Sequence, residues 1–404
     1  MASSKFNNPF RPGAGHMPPY LAGRKQETDD FQKLLQQEII LKNFVLTGLR
    51  GVGKTVLLET LKPLAFKAGW FWVGTDLSES TTLSEDRMAM RLMTDLAVVT
   101  SSIVVDNQTV RRMGFQSPLK IETKLDFHTM ADLYARTNGL TADKLKAVLE
   151  FVWSILSRMG IKGVVFAYDE ADIFSYHVAK DQYPLALLLD TFQSIQRKNV
   201  PFMLALAGLP TLFPRLVEAR TYAERMFRVV FLDRLNEKDS REAIEKPVKS
   251  SECSIVFSSE ALSHIIDSSG GYPYFIQFIC REVFDVLIQQ RDRKFPSEVN
   301  LHEITRKLDT NFFSVRWARA TDRQRDLLSI IAHLDSSETE FTVQEIAEES
   351  KKRFPDRPFS SSHISQMLVK LSDAGLVYKN RHGKYSFAVP LLGRFIRRQE
   401  EGVE

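Results

Sequence analysis

Only two cysteines occur in the 404 residues, Cys253 and Cys280, with no CxxC partner and no histidine cluster beside either. Neither a disulfide framework nor a zinc site is indicated. Long apolar runs are missing as well. The most hydrophobic stretches, residues 163–167 and 202–209, fall far short of the ~18 residues that suggest a bilayer span, so no membrane segment is expected. Residues 1–12 are Ser, Asn and Pro with scattered charge and no apolar centre, which does not read as a secretory signal, and a cytoplasmic protein is expected. Charge of one sign is also in short supply. Lys and Arg number 54 against 50 Asp and Glu, a net +4 that is too small to imply nucleic acid without a local basic patch. There is no internal repeat and no low-complexity tract. What remains is ordinary globular material, 44% hydrophobic and 26% charged, enough for large cores in two or three domains.

The opening string NNPFRPGAGHMPP is rich in Pro and Gly and predicts an extended arm with little to bury. Helical spacing of Phe31, Leu34, Leu35, Ile39 and Ile40 predicts a first helix from about Gln26. Strand and helix patterns then alternate. NFVLTG, GWFWVGTDL, KGVVFAYDEAD and VPFMLALAGLP read as strands, the last two buried on both faces. Residues 56–69, 85–104, 141–159 and 183–197 carry helical periodicity between them. This alternation predicts an α/β fold with a mainly parallel sheet covered by helices on both faces. After Leu235 the pattern is helical, over 238–244, 259–268 and 273–290. From Asp322 the order helix, short helix, helix and two short strands around RHGK predicts a winged helix-turn-helix. The expected divisions are an arm at 1–18, an α/β core at 19–235, a helical lid at 236–315 and a winged helix at 316–404.

The string GLRGVGKT fits GxxxxGK[ST] in full, with Gly48, Gly53, Lys54 and Thr55 at the specified places. It follows the apolar strand FVLT and opens the helix VLLETL, so backbone N–H groups and the positive helix end converge on one concave spot. Gly51 and Gly53 let the backbone close on phosphate oxygens, with Val52 and Val56 inside the same cradle. Lys54 would reach the β and γ phosphates and the Thr55 hydroxyl would ligate magnesium. The buried strand of VVFAYDEAD delivers two consecutive acids at its carboxyl end. Asp169 would hold Mg2+ through water, and Glu170 would orient and deprotonate the attacking water. Adjacent carboxylates near phosphate are costly without a metal, so ATP or ADP with magnesium is the implied cofactor set. Asp172 suits a cap and is left out of catalysis.

With these motifs the chain resembles the AAA+ and STAND branch of P-loop ATPases, in particular the origin-recognition-complex-like ATPases of prokaryotes. Four strings carry the likeness: LAGR at 21–24, GLRGVGKT, YDEAD, and GGYPYFIQ at 270–277. The resemblance implies that residues 20–23, Gly23 among them, line the adenine pocket. It also implies an arginine finger acting on a neighbouring copy, which AERMFRVVFL would supply as Arg225, with Arg228 as the nearby substitute. Such a residue makes hydrolysis depend on homo-oligomer assembly. Two features depart from the AAA+ pattern. The strand ending AGLP has Ala207 or Gly208 where a polar sensor is expected, and where a sensor arginine is expected the helical region reads GGYPYF, with no arginine from there until Arg281. Gly271-Tyr272-Pro273 resembles instead the GxP motif of STAND ATPases, whose proline, here Pro273, packs beside bound nucleotide.

In the winged helix the reading helix, from Ser361, would present Ser362, His363, Gln366 and Lys370, and the wing Lys379, Arg381, His382 and Lys384. A basic wing suits the phosphates of duplex DNA, while Glu345, Glu348, Glu349 and Asp373 leave no broad positive face. Three readings therefore stay open. One is a DNA-associated, oligomerising ATPase in replication, a mobile element or defence. Another is a STAND-like nucleotide switch that signals through a protein partner, without DNA. The last is a scaffold that binds nucleotide without turnover.

Overall fold

The computed structural model describes residues 7–13, 15–110, 119–175, 182–250, 256–291, 299–381 and 383–402. The chain folds into two compact units, one of Lys25–Thr47 and Leu57–Phe231, the other of Met1–Arg24, Gly48–Val56 and Leu232–Glu404.

The first unit is built on strands. In chain order they are β1 (Asn43–Gly48), β2 (Trp70–Val73), β3 (Val104–Val110), β4 (Leu119–Lys124), β5 (Gly163–Tyr168), β6 (Phe202–Gly208) and β7 (Phe227–Leu232). Five of them form one sheet in the order β2-β5-β6-β1-β7, and the pairs β1 with β6, β5 with β6 and β2 with β5 are parallel. Every residue of β1, β5 and β6 is buried, as expected for parallel strands covered on both faces. The helices Glu85–Thr100, Thr141–Leu156 and Pro184–Arg197 add Leu92, Leu149 and Phe192 to the core around Phe166 and Phe202. An amide pair supplies polar order inside it. Asn43 and Gln196 exchange hydrogen bonds of 3.2 and 2.8 Å, and Asn43 Oδ1 also accepts from the Leu204 N–H at 2.8 Å. Both side chains are buried, and their satisfied groups fix β1 to β6 where an unpaired amide would be costly.

The mainly parallel α/β sheet matches the expectation from sequence; several local details differ. The first helix is Lys25–Leu35 and stops short of Ile40. There the Gln37 side chain accepts from the N–H groups of Leu41 and Lys42 at 3.0 and 3.1 Å and donates to the Leu34 carbonyl, so its amide takes over the turn. The helix expected to reach residue 104 ends at Thr100, whose hydroxyl is bonded to the carbonyls of Leu96 and Leu125. Beyond Thr100 the chain forms a hairpin, β3 antiparallel to β4, that the periodicity did not predict. Of the aromatic residues in and after this hairpin, Phe115 lies outside the described residues, Tyr134 is buried and Phe127 is exposed.

The second unit is mostly helical. It holds the helices Glu237–Ser250, Ser259–Ser269, Pro273–Arg291 and Leu301–Leu308, then a π turn at Asp309–Phe313 and the helix Ser314–Trp317. The helices Asp322–Ala332, Val343–Arg353, Ser361–Asp373 and Leu392–Glu401 complete it. Strands β8 (Phe341–Thr342), β9 (Val377–Arg381) and β10 (Lys384–Phe387) pair antiparallel in the order β8-β10-β9. Thr342 and Glu345 close a reciprocal cap on the second of these helices, the pattern T-x-x-E signals in sequence.

The opening residues differ from the arm with little to bury. Phe10 is fully buried in this unit's core, edge-on to Phe257 and Phe284 at 6.3 and 6.2 Å. Asn8 bonds to the Arg281 carbonyl and Asp285, and the Arg11 N–H donates to Gln277. One aromatic side chain between two prolines leaves no periodic trace, so sequence alone could not reveal it. Replacing Phe10 by alanine should lower unfolding stability by about 3–5 kcal/mol, the usual cost of emptying a buried aromatic site. Denaturant unfolding of parent and variant measures this.

Candidate functional site

The phosphate loop leaves β1 at Gly48 and enters the helix that begins at Lys54. A Cβ on Gly48 would lie 2.4 Å from the Leu232 carbonyl oxygen, so no larger residue fits. Gly51 and Gly53 have φ of +80° and +93°, conformations open to glycine and strained for other residues. Nothing lies within 4 Å of the place a Cβ would take on Gly53, so its conformation rather than crowding calls for glycine there. Thr55 and Val56 lie in the first helical turn. The Lys54 ammonium donates to the carbonyls of Gly48 and Leu49 at 2.9 and 3.0 Å, so its charge is held over the loop. Backbone donors at a helix start, glycine-permitted curvature and one lysine fit a polyphosphate.

Arg24 underlies this loop, and its place in the sequence gave it no role. It is 7% exposed, and Nη2 donates to the Val52 carbonyl at 3.0 Å and to the Asp233 carbonyl at 2.7 Å. Val52 is itself buried. The other tie comes from the GGYPY turn, where Gly270 and Gly271 have φ of +56° and +77° and Pro273 opens its helix. A Cβ on Gly271 would meet the Leu235 oxygen at 2.3 Å, while its carbonyl accepts from the Leu235 N–H. One residue past Pro273, the Tyr274 N–H donates to the Gly51 carbonyl at 3.1 Å. Gly23, expected at the base pocket, has φ +62° and packs against Asp239. Tyr20 nearby bonds Glu242 at 3.0 Å, and Lys246 lies 4.1 Å over its ring.

The acidic pair belongs to the other unit. Val45 of β1 and Tyr168 of β5 both pair with Leu206 of β6, so β1 and β5 end at one edge of the sheet, roughly 10 Å apart across β6. Asp169 comes directly after Tyr168, 5% exposed, with its carbonyl accepting from the Leu77 N–H and Oδ1 accepting from the Glu170 N–H at 2.8 Å. Glu170 is exposed with φ +53°, a left-handed conformation that is uncommon for this residue and clusters at functional positions. Below the pair, Tyr168 donates to buried Asp95 at 2.8 Å, and Arg91 donates to the same Oδ2 at 2.9 Å. Burial outweighs both bonds and holds the Asp95 carboxyl above its ordinary value. Asp172 caps no helix start; its Oδ1 accepts from the Leu209 N–H at 3.0 Å, just past the end of β6. That contact accounts for Gly208, where a Cβ would lie 2.8 Å from Asp172 Oδ1.

Arg225 is exposed in the short helix Ala223–Met226. Arg228, the substitute, is engaged by Asp30 at 2.7 Å. The turn before that helix is clamped to residues 184–197. Arg220 donates twice to Asp190, at 2.8 and 2.6 Å, and the Tyr222 hydroxyl adds a third bond at 2.6 Å. Those bonds, the Arg220 pair first, hold the Asp190 carboxyl below its ordinary value. Ser362, His363, Gln366 and Lys370 are exposed along the helix Ser361–Asp373, and Lys379 is exposed on β9. His382 lies outside the described residues.

Residues 310–396 match a family described as a domain of unknown function, DUF8462. No curated protein matches the chain. Among solved structures, a Walker-type ATPase of Pyrococcus abyssi superposes with a TM-score of 0.57 at 15% identity, over 93% of this chain and 96% of that one. The ORC2 protein of Aeropyrum pernix, in ADPNP and ADP complexes, gives 0.55 at 12% identity over 97% and 98%. The chain therefore has the fold of the ORC-like P-loop ATPases. No helix among the described residues is long and apolar enough to cross a membrane.

Replacing Arg24 by methionine keeps the buried stem and removes the donors to Val52 and Asp233. Leaving such carbonyls unpaired costs about 1–3 kcal/mol, and hydrogen exchange measured at Gly51–Lys54 should speed up accordingly. Asp190 gives a pH signature of definite sign. Its folded value lies below the unfolded one, so its contribution is present above the ordinary carboxylate range and is lost as pH falls through the depressed value. The Arg220 and Asp190 side chains are 39% and 37% exposed, so solvent screening limits the effect to about 1 kcal/mol or less. Unfolding midpoints of parent and Asp190→Asn should differ at neutral pH and converge in acid.

Proposed function

We propose that this chain binds ATP and ADP at residues 48–56 and hydrolyses ATP with magnesium, in assemblies of more than one copy that form on duplex DNA. The observation that carries this reading is the complete phosphate loop, with Gly51 and Gly53 in glycine-favoured conformations and Lys54 at the helix start. Thr55 and Asp169 would hold the magnesium ion, which would supply charge neutralisation at the phosphates. Glu170 is the proposed base, and its exposure beside the end of β5 supports the assignment. Gly23 and Pro273 would flank the nucleotide. Exposed Arg225 is the proposed finger toward a second copy, since it can reach a neighbour while Arg228 is paired.

DNA contact is proposed for residues 316–404, read as a winged helix. The element order from Asp322 to β10 supports that reading, as do the exposed Ser362, His363, Gln366 and Lys370 on its third helix. A second reading has a specific observation in its favour. The Tyr274 bond to Gly51 ties the turn containing Pro273 to the phosphate loop, and Asp172 leaves no room for a polar sensor at Gly208. Both suit a nucleotide-operated switch that turns over slowly and signals through a protein partner.

ATP turnover measured over a range of protein concentrations, with and without duplex DNA, decides between them. For the assembling ATPase, specific activity rises with concentration and with DNA. It falls at least about 100-fold in Glu170→Gln, as general-base loss does, and collapses in Arg225→Ala while nucleotide binding persists. Negligible turnover that DNA does not change, with nucleotide tightly held, favours the switch. Turnover in Glu170→Gln equal to the parent's removes Glu170 from the mechanism.

A further inference from the structure

The helix Glu85–Thr100 buries Met88, Leu92, Met93 and Leu96 in the core of the first unit, and it buries one acid with them. Asp95 is 5% exposed. A carboxylate taken out of water is costly unless its lone pairs are used, and an apolar residue at this position would pack without that cost. The Asp95 lone pairs are used at the acidic end of β5. Its Oδ2 accepts from the Tyr168 hydroxyl at 2.8 Å and from Arg91 Nε at 2.9 Å. Arg91 carries the connection further, because its Nη2 donates to the Thr75 hydroxyl, which donates in turn to the Asp76 carbonyl at 3.4 Å.

These bonds reach the backbone on two sides of Asp169. Tyr168 is the residue before it in β5. Asp76 is its neighbour across the sheet, in a parallel bridge that continues the pairing of β2 with β5, and the next residue, Leu77, donates its N–H to the Asp169 carbonyl at 3.1 Å. One carboxylate is therefore the common anchor of the two segments that frame Asp169. Directly after them the backbone enters the left-handed conformation of Glu170, φ +53°. Such a conformation in a residue other than glycine persists only where its surroundings over-determine it.

We propose that Asp95 is a positioning residue, which acts through Tyr168 on one segment and through Arg91 and Thr75 on the other to hold the Asp169–Glu170 backbone and keep the Glu170 carboxylate where a base is needed. The inference rests on the reading of Glu170 as the base and adds the group that sets its placement. In this role Asp95 exchanges no proton and contacts no nucleotide.

Asp95→Asn keeps the side chain's volume and weakens both bonds by removing the charged acceptor, while Tyr168→Phe removes one donor alone. Steady-state ATP turnover of the full chain with magnesium should show kcat lowered about tenfold in Asp95→Asn, with KM changed less than about twofold, as expected of a small misplacement of a catalytic group. Tyr168→Phe should lower kcat by a smaller factor. The decisive comparison is made in the Glu170→Gln background. There Asp95→Asn should cost less than about twofold more, because a residue that acts through Glu170 has nothing left to position. An equal loss in both backgrounds overturns the proposal, as does a parent-like kcat in Asp95→Asn. Hydrogen exchange supplies a readout that needs no turnover. The Glu170 amide, which donates to Asp169 Oδ1, should exchange about tenfold faster in both single variants while the amides of β6 keep the parent's rates. Unchanged protection at Glu170, or equal acceleration in β6, overturns the proposal even where kcat falls. Equal turnover by Glu170→Gln and the parent is a different result. It means that the base assignment itself has failed, and the role of Asp95 falls with it.

Discussion

The phosphate loop depends on a buried positive charge that is not part of its own motif. A loop of three glycines has little intrinsic preference for one shape, because glycine gains more conformational freedom on unfolding than any other residue. The Arg24 guanidinium restricts that freedom by donating from one nitrogen, Nη2, to the carbonyls of both Val52 and Asp233. A charge taken out of water needs its donors satisfied, so the arrangement is stable only when those carbonyls stay in place. Loop shape and arginine burial are therefore one condition.

The same unit also holds the loop through a backbone hydrogen bond from the GGYPY turn. The Tyr274 N–H bonds the Gly51 carbonyl, and the Tyr274 ring leans on Phe312 in the π turn. From there Phe313 stacks on Phe395 at 5.2 Å, and Asp309 pairs with Arg398 through two bonds, which carries the connection into the C-terminal helix. A π turn inserts a residue into a helix and recurs where function needs a local distortion. Here it sits where aromatic packing from the phosphate loop meets the segment matching DUF8462.

Much of the sheet was legible because its strands are buried on both faces and therefore continuously apolar. FVLTG, GVVFAY and FMLALAG cannot be mistaken for amphipathic segments. The phosphate loop was legible because only glycine tolerates its angles and its close approach to Leu232. Other features left no such trace. The β3 and β4 hairpin has the mixed polar strings VVDNQTV and LKIETK, in which backbone pairing rather than burial pattern decides the structure. The stop at Leu35 depends on one glutamine amide, and the seat of Phe10 on two aromatic rings, Phe257 and Phe284, from distant parts of the chain.

By itself the sequence singled out the residues proposed for phosphate chemistry, since spacing and residue type are local: Gly48, Gly51 and Gly53 for curvature, Lys54 for charge, and Asp169 and Glu170 at a strand end. Tertiary structure alone decided what supports them. Arg24 was only one letter of a short string, and Tyr274 acquires meaning through a bond to Gly51, hundreds of positions away. Hydrogen bonds and unpaired charges act over a few ångströms in space, and a linear pattern does not record which distant groups the fold brings within that range.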